Sequence, residues 1–115
     1  MRTDRLLLGD MLDAIGEVLS TTPATRVRFD ADKLIRSHVL RNIQIIGEAG
    51  WRLPQTIKDA HPEVPWRAIA GMRHAIVHDY FEVDWDAVWE VTQRHVAMLK
   101  PQVEAIIASL STDAP

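Results

Sequence analysis

The chain predicts an all-α bundle. Apolar residues recur at three- and four-residue steps in several long stretches. Nowhere does the strict apolar–polar alternation of a half-buried strand persist. Clusters of Pro, Ser and Thr divide the periodic stretches from one another, as connections do. Together these predict a four-to-five-helix bundle occupying residues 1–115 as one domain.

The first helix runs from Asp4 to about Ser20. Leu8, Met11, Leu12, Ile15, Val18 and Leu19 supply its apolar stripe, and Thr3 or Asp4 stands where a cap belongs. The stretch from Ser20 to Asp32, with Pro23 behind Thr21 and Thr22, reads as a connection. A second helix spans about Ala31 to Trp51, capped by Asp30 or Asp32, with Leu34, Ile35, Val39, Leu40, Ile43 and Ile46 on its buried side. Gly47 within it costs about 1 kcal/mol against alanine, which a close helix crossing would explain. Pro54 closes this region, and a short helical turn fits Gln55 to Ala60 before a Pro-bounded linker.

The third helix starts near Pro65, since proline suits a first helical turn, with Trp66 as a staple, and runs to Asp79 or Tyr80. The fourth starts at Asp84 and reaches Leu110. Trp85, Val88, Trp89, Thr92, Val96, Leu99, Val103, Ile106 and Leu110 form the seam of a helix packed in a bundle or at a dimer contact. Pro101 should kink it, because its ring clashes with the preceding turn and it lacks an amide donor.

Composition narrows the function. The absence of cysteine removes disulfide scaffolds, cysteine nucleophiles, Cys-based zinc sites and iron–sulfur clusters. No apolar run reaches the roughly 18 residues of a membrane span, and acids interrupt the N-terminal apolar stretch too soon for a signal peptide. These features fit a cytoplasmic protein. A formal net charge of −3 argues against a uniformly basic nucleic-acid binder but leaves room for a local basic cleft.

Chemistry concentrates between Arg73 and Tyr80, where a guanidinium, two imidazoles (His74, His78), a carboxylate (Asp79) and a phenol fall close together. Arginine presents a donor fork to phosphate oxygens, and histidine transfers protons near neutral pH. Cleaving a phosphodiester through its internal 2′-hydroxyl needs a base, charge stabilisation on the phosphorane and a proton for the leaving oxygen. It needs no metal. On one ideal helix Arg73 and His78 diverge by about 140°, so one helix alone does not aim both at one atom, whereas two copies about a two-fold axis could. The competing reading is a solvated or structurally paired helix face. His74 and His78 have the spacing of two metal ligands, but no third ligand is evident. On the second helix Arg41, Ile45 and Glu48 share a face with His38, either as an accessory part of a site or as an ion network that fixes register. The four tryptophans read as packing residues.

The chain resembles the HepT-like toxins of the HEPN superfamily. The likeness covers nearly the whole chain: Asp4-Arg5-Leu6, the blocks at 40–43 and 46–49, the run Pro65-Trp66-Arg67-Ala68-Ile69-Ala70-Gly71-Met72-Arg73, and the family's Arg-x4-His-x-Tyr motif at Arg73, His78 and Tyr80. The resemblance implies a homodimer with its motifs facing across a cleft, and RNA cleavage that uses no metal or other cofactor. It implies catalytic roles for His78, as general acid/base, and for Arg73, as phosphate clamp; His74, Arg41 and Glu48 are candidate accessory residues on the reading of the residues alone. It further implies a minimal nucleotidyltransferase antitoxin as partner, adding AMP to Tyr80. His74 stands where the family usually has Asn. The alternative is a non-catalytic helical module that binds the nucleotidyltransferase.

Overall fold

The computed structural model describes residues 2–74 and 82–112. Its extended regular elements are all helices: α1 (Asp4–Thr21), α2 (Arg26–Ala31), α3 (Lys33–Arg52), α4 (Gln55–Ala60), α5 (Trp66–Gly71), α6 (Trp85–Arg94) and α7 (Val96–Thr112). The all-α expectation holds, with the helical path cut into more pieces than the periodicity suggested.

α1 begins where Thr3 accepts a hydrogen bond from the Leu6 amide. It ends where the hydroxyls of Thr21 and Thr22 donate to the carbonyls of Glu17 and Val18, each at 2.6 Å, satisfying two of the acceptors a helix end leaves open. Its buried stripe is Leu7, Leu8, Met11, Ala14, Ile15 and Val18, while Leu19 remains exposed. This face packs on α3 and α7.

The stretch expected to be a connection contains α2. Thr25 caps it by accepting from the Arg28 amide, and its one buried residue, Phe29, has no exposed surface. Phe29 meets Trp89 at 5.2 Å and Trp85 at 6.1 Å between ring centroids, edge-on to the latter. Such aromatic packing is what a single turn needs to hold its place, because a six-residue helix is unstable alone. Arg26 pairs with Asp30 at 2.8 Å and with Asp86 of α6 at 2.9 Å. The hydrogen bonds to these two carboxylates raise the Arg26 pKa above its ordinary value.

Asp32 caps α3 through the Ile35 amide at 3.0 Å. Val39, Ile43 and Ile46 of α3 have no exposed surface. The short turn at Gln55–Ala60 is helical, as α4. At the start of α5, the Trp66 indole donates to the His61 carbonyl at 2.9 Å, which ties the helix to the linker before it.

Two expectations need correction. The third helix does not continue unbroken towards Tyr80: α5 ends at Gly71, and Met72 to His74 form turns. The amides of Arg73 and His74 bond three residues back, to Ala70 and Gly71, at 3.4 and 3.2 Å, a tighter winding than the α-helix. Glycine is the weakest helix former after proline, so Gly71 is a natural stop. The fourth helix is two: α6 and α7 part at His95, upstream of Pro101, which lies inside α7. A proline ring at 101 crowds the carbonyl four residues earlier by its place in the sequence, and that residue, Ala97, belongs to the first turn of α7. The seam itself survives. Val88, Val96, Leu99, Val103 and Ile106 are all buried across the break.

No helix among the described residues is long and apolar enough to cross a membrane.

Candidate active site

Arg73 owes its position to a glycine. A Cβ on Gly47 would lie 2.5 Å from the Arg73 amide nitrogen, 3.0 Å from the Ile69 carbonyl oxygen and 3.1 Å from the Met72 carbonyl carbon. The end of α5 and the turn after it therefore press directly on the backbone of α3, the close crossing that a glycine in mid-helix suggested. Gly50, one turn on, makes room for the Ile69 side chain, whose Cγ2 would be 2.7 Å from an added Cβ.

The Arg73 side chain reaches from this crossing over the outer face of α3. Its guanidinium carbon stands 4.0 Å above the Trp51 ring. Its Nη1 is 3.8 Å from Glu48 Oε2, close enough for charge attraction and too far for a hydrogen bond. Its Nε is buried with no hydrogen-bond partner among the described residues. Glu48 gives its other oxygen to Arg52 Nε at 3.0 Å. Arg73, Glu48, Ile45, Gln44 and Arg41 line an open cleft of about 380 Å³.

The expected site residues divide as follows. Arg73, Glu48 and Arg41 come together on this cleft, with Arg41 exposed. Glu48 pairs with Arg52 and Arg73 instead of Arg41, because the turn after α5 delivers the Arg73 guanidinium to it. His74 is exposed in the turn after Arg73. His38 leaves the face it was expected to share: its ring sits 3.4 Å from Asn42 Nδ2 and 3.6 Å from Glu17 of α1. His78 and Tyr80 lie outside the described residues, and so does the His74–His78 ligand pair. Trp51 was read as a packing residue, yet it is 52% exposed and carries the arginine. Its position three residues after Glu48, next to the same helix face, was the available signal.

Two guanidinium groups against one carboxylate make the cleft locally positive in a chain whose formal net charge is −3. Among the described residues the Arg73 guanidinium makes no hydrogen bond: Nε is buried without a partner, and Nη1 stands 3.8 Å from Glu48 Oε2. A fork of this kind matches phosphate oxygens two at a time.

A small helical bundle with an open cleft where two arginines meet one glutamate is thus the class of protein defined here. Comparison with known proteins narrows the class. The chain belongs to the HepT-like ribonuclease family, whose profile matches residues 11–106. A candidate RNase of Methanocaldococcus jannaschii is 32% identical over 110 residues, covering 95% of each chain. A Caldanaerobacter subterraneus protein, also named as a candidate RNase, is 37% identical over 79 residues, covering 69% of this chain and 70% of its own. A Thermococcus cleftensis protein assigned as ribonuclease HepT is 38% identical over 78 residues, covering 68% of this chain and 71% of its own. No solved structure matches the chain significantly.

Proposed function

We propose that this chain is the toxin of a toxin–antitoxin pair, an endoribonuclease that cleaves RNA without a metal ion. It acts in the cytoplasm as a homodimer of single 115-residue domains. The observation that carries this reading is Arg73, set against Trp51 and Glu48 beside an open cleft, with no hydrogen bond to its guanidinium among the described residues. Membership of the HepT-like ribonuclease family supports the choice of RNA as the phosphodiester.

In this reading His78 removes the proton from a ribose 2′-hydroxyl, whose oxygen attacks the adjacent phosphorus. The Arg73 fork neutralises the charge that gathers on the phosphorane oxygens. The 5′-oxygen departs with a proton from the second histidine of the dimer. The products are a 2′,3′-cyclic phosphate and a 5′-hydroxyl, with the proton count unchanged. His74 stands beside Arg73 as an accessory group, and Arg41 and Glu48 shape the charge of the cleft. A minimal nucleotidyltransferase antitoxin silences the toxin by adding AMP to Tyr80, which places bulk and negative charge where the RNA phosphate sits.

The test is RNA cleavage by the purified chain in EDTA, beside His78→Ala and Arg73→Ala variants matched for folding. Wild-type cleavage that falls by about 10²- to 10⁴-fold in each variant is expected. Cleavage undiminished in both variants would overturn the assigned roles. No cleavage by the well-folded wild type would favour a non-catalytic helical module that binds the nucleotidyltransferase.

A further inference from the structure

We propose that Trp51 is the positioning residue of the phosphate clamp: its indole face fixes the Arg73 guanidinium over the cleft. The inference rests on the ribonuclease reading for its kinetic consequence and on geometry alone for the contact.

Three observations carry it. The guanidinium carbon is 4.0 Å above the Trp51 ring, well inside the roughly 6 Å range of cation–π attraction. No hydrogen bond among the described residues orients the Arg73 fork, because Nε has no partner and the Glu48 contact is 3.8 Å long. The indole is 52% exposed, so the hydrophobic core does not require it. An arginine side chain has several rotatable bonds, and ordering it costs entropy. Packing on the indole face restricts the guanidinium without consuming the N–H groups of Nη1 and Nη2. A hydrogen-bonded partner would order it by consuming those same donors. The electrostatic partner, Glu48, is itself shared with Arg52, which dilutes its pull on Arg73. The clamp is therefore built from α3, outside the Arg-x4-His-x-Tyr motif.

Trp51→Leu and Trp51→Phe test this, each first checked for an unchanged unfolding temperature. Without RNA, the Arg73 side-chain proton signals are followed by NMR while inorganic phosphate is added. In the wild type the ring current should displace these signals upfield. The displacement should shrink in Trp51→Phe and vanish in Trp51→Leu, with weaker phosphate binding. In RNA cleavage, Trp51→Leu should lower kcat on the order of five- to thirty-fold with KM little changed, the factor a half-exposed cation–π contact supports. Trp51→Phe should recover part of that loss. Unshifted Arg73 signals in the wild type would overturn the proposal. So would a rise in KM at constant kcat, which would make Trp51 a stacking platform for an RNA base. Should the wild type cleave no RNA, the ribonuclease reading fails by itself, and the phosphate titration still decides whether Trp51 holds Arg73.

Discussion

Replacing Gly47 with alanine would place a methyl carbon against three backbone atoms at once: the Arg73 nitrogen at 2.5 Å, the Ile69 oxygen at 3.0 Å and the Met72 carbonyl carbon at 3.1 Å. None of these can swing aside as a side chain would. Ordinary contact begins near 3.4 Å, so the turn must retreat from α3 by nearly an ångström at Arg73. Overpacking of this kind costs about 1–3 kcal/mol, and three backbone contacts argue for the upper half. The better helix propensity of alanine returns about 1 kcal/mol. The net expectation is a loss of about 1–2 kcal/mol, or roughly 4–8 °C in Tm for a domain of this size. The functional loss should be larger, because a misplacement of about 1 Å at a reacting group can cost about 100-fold. Thermal unfolding by circular dichroism and RNA cleavage rates measure the two effects. Gly16→Ala in α1 is the control, since nothing lies within 4 Å of the added carbon. It should stabilise by about 0.5–1 kcal/mol and leave cleavage untouched. Matching gains in Tm for both variants, with cleavage intact in both, would refute the idea that Gly47 sets the height of Arg73.

Phe29→Ala should cost about 3–5 kcal/mol in urea unfolding, because its fully buried ring is what joins α2 to Trp85 and Trp89; a cost under about 1 kcal/mol would mean that the aromatic cluster closes without it. Tyr80→Phe should keep ribonuclease activity and escape the antitoxin, read as growth inhibition that co-expression no longer relieves. A gain of AMP mass by Tyr80→Phe in the presence of partner and ATP would move the modified group elsewhere.

The long helices were legible because α1, α3 and the α6–α7 seam each repeat an apolar stripe over several turns, and burial of that stripe decides their packing. α2 was not, because six residues around one buried phenylalanine contain no period to detect. Its sign was chemical: Thr25 stands three residues before the amide it caps. The break at His95 carries no breaker of its own, and Pro101 pointed to it only approximately. At the site, Gly47 announced a close crossing, but only the fold tells that the Arg73 turn makes it. Trp51 was hidden by habit of composition. Tryptophan is so often packed that its place three residues after Glu48, the one signal available, does not tell of a cation on its face.

The meeting of backbone with backbone at Gly47 has a mechanical meaning. Side-chain contacts have rotamers and absorb small displacements. This contact has none, because one surface is a helix axis stripped of its side chain and the other is a peptide plane. Densely packed protein transmits strain instead of absorbing it. α1 packs along α3, and a shift of α3 at Gly47 bears directly on the backbone at Arg73. Whatever grips α3 from outside acquires a handle on the position of Arg73 without entering the cleft.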